Sequence, residues 1–138
     1  MRFRRQITIE ARPEKVFAVI TDLPTFARLT HRIEEITLTN DGQSHWRARI
    51  GGIPIEWDAV ITDQYPPSRF TWKSVSGARN SGSWRLTPAK NGTRVEFGIT
   101  FHPPKGTELL LGKLLFRRFI NELNEEILQN LRTMLTEG

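Results

Sequence analysis

Residues 43–101 alternate between apolar and polar positions, a pattern typical of β-strands with one buried face. Successive side chains of a strand point to opposite faces, so the phase of an apolar residue tells on which face it lies. Four successive segments each carry one tryptophan in phase with their other apolar residues: Trp46, Trp57, Trp72 and Trp84. The pattern predicts four large aromatic side chains on one face of one sheet.

Shorter elements precede this region. Residues 2–10 alternate and predict a first strand. Two short helices follow: Pro13 suits the first turn of one, and Asp22-Leu23-Pro24 begins the other. A second strand is predicted from about Arg32 to Thr39, and Asn40-Asp41-Gly42 closes it.

The turn between strands three and four sets a predicted register. Gly51-Gly52-Ile53-Pro54 is typical of a hairpin loop. We therefore pair Arg49 with Glu56, which places Arg47 opposite Asp58 on the outer face. The same register puts Trp46 opposite Ala59 and Ala48 opposite Trp57 on the inner face, so that large side chains meet small ones.

Three further turn signals delimit strands five to seven: Tyr65 to Ser68, Ser76 to Asn80, and Lys90 to Gly92. They predict an antiparallel meander with Trp72 beside Trp84. On the last pair of strands, Trp84 is expected to face Phe97 and Arg85 to face Glu96.

The apolar period changes to 3.6 after the last strand, which predicts one helix from about Thr107 to Leu135. Its apolar positions form one continuous stripe: Leu109, Gly112, Phe116, Ile120, Leu123, Ile127, Leu131 and Met134. A single broad face of this helix is expected to be buried against the sheet.

Composition limits the classes of protein to which the chain can belong. Its 138 residues fit one domain, and 38% apolar with 25% charged residues fit a globular protein. The absence of cysteine excludes disulfides and thiolate chemistry. No apolar run approaches the roughly 20 residues of a membrane span, and the N-terminus lacks the apolar core of a signal peptide. A cytoplasmic location is expected.

The net charge of +5 comes from fifteen arginines and five lysines, scattered among carboxylates. Without a basic run, no nucleic-acid partner is expected. A transient contact with an anionic membrane surface stays open through Arg2, Arg4, Arg5, Arg117 and Arg118.

Phase also separates the ionisable residues from the predicted inner face. His45 and His102 point outward, and His31 follows the second helix without an obvious partner, so no metal site is predicted. Glu56 and Asp58 point outward as well, towards arginines, which favours ion pairs over acid–base catalysis. No histidine and acid accompany the serines as a nucleophilic triad, and no catalytic residue is predicted.

Long stretches of the chain resemble one superfamily. These are "ITIEARPEKVFAVITDLPTFARL", "GGIPIEWDAVITDQYPPSRFTWKSVSG", "NSGSWRLTPAKNGTRVEFGITFHPP" and the closing helix. They are similar to the polyketide cyclase/dehydrase and lipid-transport superfamily, also called START-like, SRPBCC or Bet v 1-like, in its bacterial cyclase/dehydrase branch. The resemblance covers residues 1–138 as a single domain.

The resemblance implies an α+β helix-grip fold, in which a seven-stranded antiparallel sheet wraps around a long C-terminal helix and two short helices lie between strands one and two. It implies a cavity for a hydrophobic small molecule such as a lipid, quinone or polyketide, with no cofactor. A polyketide cyclase or dehydratase that uses polar groups in the same cavity is the alternative. The oligomeric state is left open.

The predicted ligand-binding residues combine the inward aromatic side chains with two polar ones. Ser74 shares the phase of Trp72, and Arg79 lies in the loop between strands five and six. Access is expected past the short helices and this loop. The full set is Trp46, Trp57, Phe70, Trp72, Ser74, Arg79, Trp84, Phe97, Phe101, Phe116 and Ile120.

Overall fold

A computed structural model describes residues 1–40, 42–103, 106 and 112–136. Seven strands form one antiparallel sheet in the order β1-β7-β6-β5-β4-β3-β2, so the predicted α+β architecture is confirmed. The strands are β1 (Arg2–Ile9), β2 (Ile33–Asn40), β3 (Gln43–Ile50), β4 (Ile53–Tyr65), β5 (Arg69–Gly77), β6 (Arg79–Ala89) and β7 (Gly92–His102). The helices are α1 (Pro13–Thr21), α2 (Leu23–Phe26), which continues as a 3-10 turn at Ala27–Leu29, and α3 (Lys113–Thr136).

The last helix starts later than its apolar stripe predicts. Gly112 has a φ of +80°, a left-handed conformation that a continuing α-helix does not allow. Its carbonyl accepts the first bond of α3 from the Phe116 N–H at 3.0 Å. The predicted start at Thr107 lies outside the described residues. None of the described helices is both long and apolar enough to cross a bilayer.

The predicted register between β3 and β4 is wrong by two residues. Ile50 pairs with Ile53, so only Gly51 and Gly52 form the turn, with φ values of +58° and +83°. Two positive φ angles are what a tight two-residue hairpin requires. Trp46 therefore faces Trp57 instead of Ala59. Because a shift of two residues preserves strand parity, the predicted inward and outward faces are unchanged.

The corrected register also changes the ion pairs of the outer face. Arg47 lies 3.2 Å from Glu56, and Arg49 lies 3.3 Å from Glu34 instead of Glu56. Asp58, expected to face Arg47, accepts hydrogen bonds from the Ser76 hydroxyl and, at 2.8 Å, from His45 Nδ1. These two bonds lower the pKa of Asp58. The carboxylates lie on the outer face as predicted.

Strands five to seven show one further difference. Trp72 pairs with Gly82, not with Trp84. The pairing of Trp84 with Phe97 is confirmed, as is that of Arg85 with Glu96.

Two apolar clusters join the sheet to α3. The larger surrounds the C-terminal half of the helix and includes Ile127, Leu128 and Leu131, together with residues of α1 and α2. The smaller surrounds the first turns and includes Phe116 and Ile120. The helix is therefore anchored at both ends.

A polar cluster ties the middle of α3 to the residues after α2. Glu126 pairs with the Arg32 guanidinium and accepts a 3.2 Å bond from the His31 N–H. The His31 ring, for which the sequence suggested no partner, also lies 3.2 Å from Glu126. Burial by itself would raise the pKa of Glu126, but the Thr30 hydroxyl, Arg32 and His31 together hold it below its ordinary value.

We expect Glu126→Gln to lower the free energy of unfolding by about 1–3 kcal/mol at pH 7, because Arg32 loses its nearer charged partner in a half-buried position and is left with Glu122, 3.6 Å away. A carboxylate with a lowered pKa stabilises the folded state above its unfolded pKa, and this stabilisation is lost as the pH falls through the folded value. The difference between the two proteins should therefore shrink below about pH 4.3. Urea unfolding of both proteins at pH 7, 5 and 3.5 measures this difference in the free energy of unfolding. A difference that is constant over this range would contradict the assignment.

Candidate functional site

A cavity of about 250 Å³ lies between the inner face of the sheet and α3. Its walls are mostly apolar and come from β2 to β7, α1, α2 and α3. Eight of the predicted ligand-binding residues line it: Trp46, Trp57, Phe70, Trp72, Trp84, Phe97, Phe101 and Ile120. The predicted strand parity thus brings all four tryptophans to one chamber.

Trp46 and Trp57 form one aromatic wall. Their ring centroids are 5.7 Å apart and the planes are inclined by only 14°, so the indoles are stacked. Phe26 of α2 meets Trp46 edge-on at 5.8 Å. The observed register, unlike the predicted one, places the two indoles directly opposite each other across the β3–β4 ladder.

Phe97 forms the centre of a second wall. The Trp84 ring stacks on it at 4.2 Å, and the Trp72 ring lies 6.1 Å away on a nearly parallel plane. The Trp72 indole covers Gly82, where an added Cβ would collide with the ring. A glycine at this point of β6 therefore lets the Trp72 ring lie flat on the sheet.

Three of the predicted residues do not line the cavity. Phe116 is fully buried and supports its end wall by packing on Phe101, with centroids 5.5 Å apart. The Ser74 hydroxyl accepts a 3.0 Å hydrogen bond from the Asn80 N–H and so links β5 to the start of β6. Arg79 is exposed at the start of β6. Ser74 and Arg79 do not line the cavity. Both lie beyond Lys73 and Ser81, the last pair of residues in the β5–β6 ladder.

The sequence prediction missed the polar groups of the walls. Asn80 accepts from Trp72 Nε1 at 3.1 Å, and Ser44 accepts from Trp46 Nε1 at 2.7 Å. Asn124 of α3 is completely buried and also lines the cavity. Its position four residues after Ile120, within the apolar stripe of the helix, was the signal available in the sequence.

The cavity opens between α2 and the tips of β2 to β4. Leu38 and Ile61 line it although 67% and 41% of their surfaces are exposed. Leu23 and Pro24 of α2 also line the cavity. Residues of the short helices thus line the cavity, whereas residues 76–79 of the β5–β6 connection, past which access was also expected, do not line it.

The described lining contains three ionisable side chains, Asp22, Arg32 and Arg49. Arg32 is paired with Glu126, and Arg49 with Glu34. Among the described residues, no group of three His, Asp or Glu side chains could hold a metal ion. What these walls provide is apolar burial, aromatic stacking and a few hydrogen bonds.

Residues 1–136 match the family described as polyketide cyclase/dehydrase and lipid transport. The chain belongs to this family. It is also 30% identical to the uncharacterized 17.2 kDa protein in the melC2-rnhH intergenic region of Streptomyces lincolnensis, over 77% of this chain and 80% of that protein. Membership of the family and the cavity together support a hydrophobic ligand-binding role.

Solved structures share the architecture. The protein TTHA0849 of Thermus thermophilus superposes with a TM-score of 0.80 at 24% identity, over 98% of this chain and 97% of that one. A START superfamily protein of Mycobacterium smegmatis superposes with a TM-score of 0.75 at 11% identity, over 99% and 97% of the two chains. At these identities the likeness shows the fold, which is the START-like helix-grip fold.

We expect Gly82→Ala to lower the free energy of unfolding by about 1–3 kcal/mol, because the new methyl group would displace the Trp72 ring from the sheet. Urea unfolding, followed by tryptophan fluorescence, measures both the stability and the changed indole environment. Gly98→Ala is the matched control, since its Cβ would meet its nearest neighbour at 3.6 Å, an ordinary contact. Equal effects of the two substitutions would contradict the role of Gly82.

Proposed function

We propose that the protein binds, and carries, a compact hydrophobic molecule in the cavity between the sheet and α3. The observation that supports this most is the cavity itself, about 250 Å³ enclosed by stacked aromatic side chains. A hollow of this size lined by close-packed side chains destabilises a domain when it is empty. A bound apolar molecule would restore the lost contacts and explain why the walls are apolar and aromatic.

The size of the cavity favours a small ligand. Ligand pockets commonly measure about 300–1,000 Å³, and this one lies just below that range. Two flat walls, Trp46 with Trp57 and Trp84 with Phe97, suit a planar ring. Among the classes suggested by the family, an aromatic quinone- or polyketide-like molecule therefore fits better than a long lipid chain.

A polyketide cyclase or dehydratase is the alternative that the sequence left open, and the described residues support it less well. Acid–base catalysis requires an ionisable group beside the substrate. The ionisable groups of the lining are Asp22, Arg32 and Arg49, and both arginines already have carboxylate partners. We therefore propose binding, without assigning a reaction.

Ala59→Phe tests the proposal, because Ala59 is buried in the cavity wall and a phenyl ring there would occupy part of the space. We expect the affinity for the neutral dye N-phenyl-1-naphthylamine to fall at least about tenfold, since a ring of this size displaces most of a small ligand. The dye's fluorescence on titration gives the dissociation constant. Thermal unfolding of the variant establishes that it is folded.

Ala18→Phe is the matched control. Ala18 is exposed on α1 and does not line the cavity, so the same substitution there should leave dye affinity unchanged. Undiminished binding by a folded Ala59→Phe variant would place the dye elsewhere and overturn the proposal.

A further inference from the structure

The polar groups in the cavity walls are of two kinds. Trp46 and Trp72 donate their indole N–H groups to protein acceptors. By contrast, Trp57 Nε1 and both amide atoms of Asn124 are buried without a hydrogen-bond partner among the described residues. Buried polar groups are normally paired, so each exception calls for an explanation.

Asn124 lies where the two apolar clusters of α3 meet. Ile120, one turn before it, belongs to the smaller cluster, and Leu128, one turn after it, belongs to the larger. All three side chains are at most 1% exposed, so the amide lies on the buried face of the helix and lines the cavity. An apolar residue would fill this position without leaving any polar atom unpaired.

We propose that Asn124 and Trp57 bind a hydroxyl group of the ligand, so that the ligand is a neutral aromatic molecule carrying a hydroxyl. This inference rests on the proposed function. The amide of Asn124 offers both an acceptor and donors, whereas the Trp57 indole only donates. A hydroxyl matches both, because it donates to Asn124 Oδ1 while one of its lone pairs accepts from Trp57 Nε1. A carbonyl would leave Oδ1 without a donor.

The charges around the cavity favour the neutral form of the ligand. Arg32 and Arg49 are the cations of the described lining, and they pair with Glu126 and Glu34. A carboxylate beside Asn124 would therefore be buried without a free cation, which is strongly unfavourable. A phenolic hydroxyl, with a pKa of about 10 in tyrosine, stays neutral at pH 7.

A matched pair of probes tests the inference with the full chain at pH 7. The probes are 2-naphthol and 2-methylnaphthalene. They have similar shapes, but the first carries a hydroxyl group where the second carries a methyl group. A purely apolar cavity would prefer the methyl compound. We expect the protein to bind 2-naphthol about 5- to 100-fold more tightly, as measured by isothermal titration calorimetry.

Asn124→Leu should remove this preference or reverse it, while binding of 2-methylnaphthalene is retained. Asn121→Leu, the same substitution on α3 outside the cavity lining, should keep the wild-type ratio. In the nuclear magnetic resonance spectrum, the side-chain amide signal that disappears in Asn124→Leu should shift with 2-naphthol and not with 2-methylnaphthalene. The magnetic resonance measurement observes Asn124 in the wild-type protein. Trp57→Phe provides a second variant in case Asn124→Leu fails to fold.

Equal affinities of the wild type for the two probes, or a ratio unchanged in folded Asn124→Leu, would overturn the inference. If N-phenyl-1-naphthylamine still binds in that case, the proposed function stands and only the hydroxyl subsite is lost. If neither the dye nor either probe binds, both are overturned.

Discussion

The structure depends on how one helix covers the apolar face of a sheet much wider than itself. Seven strands about 4.8 Å apart span roughly 29 Å, whereas an α-helix with its side chains is about 10–12 Å across. α3 therefore contacts only part of the inner face. The short helices α1 and α2 cover another part through Phe17, Ile20 and Phe26. The cavity lies between these helices and the aromatic side chains of the inner face.

Stacked aromatic side chains and the anchoring of α3 hold the cavity walls in place. Stacked rings such as Trp84 on Phe97 bury a large apolar area with few rotatable bonds. Gly82 allows the Trp72 ring to lie close to the sheet, which keeps the chamber open instead of filled. α3 is held at both ends by apolar clusters and in its middle by Glu126 with Arg32. The cavity is thus built into the packing of the domain.

Polar groups in such walls have a disproportionate influence on which ligand can bind. Apolar burial is almost independent of chemical detail, so it favours any molecule of suitable size. A buried group that lacks a partner discriminates, because it is satisfied by some ligands and left unpaired by others. Trp57 and Asn124 are such groups, and both line the same chamber. In the proposed site, affinity and specificity therefore come from different side chains.

Strand parity and helical period, both local properties, determined most of the fold. The phases of Trp46, Trp57, Trp72 and Trp84 were enough to predict one aromatic inner face, because a strand's side-chain alternation does not depend on its neighbours. The predicted β3–β4 register was wrong by two residues and still preserved that face. The sequence alone also indicated the superfamily and the long amphipathic helix.

Only the tertiary structure decided which residues meet. Ser74 shares the phase of the cavity walls, yet its hydroxyl is used by Asn80, since β5 parts from β6 beyond Lys73. The sequence places Asn124 within the apolar stripe of the helix, but only the packing shows that its amide lies between two apolar clusters without a partner among the described residues. Hydrogen-bond satisfaction is a property of the whole neighbourhood, contributed by segments far apart in the chain. No periodicity along one segment can reveal it.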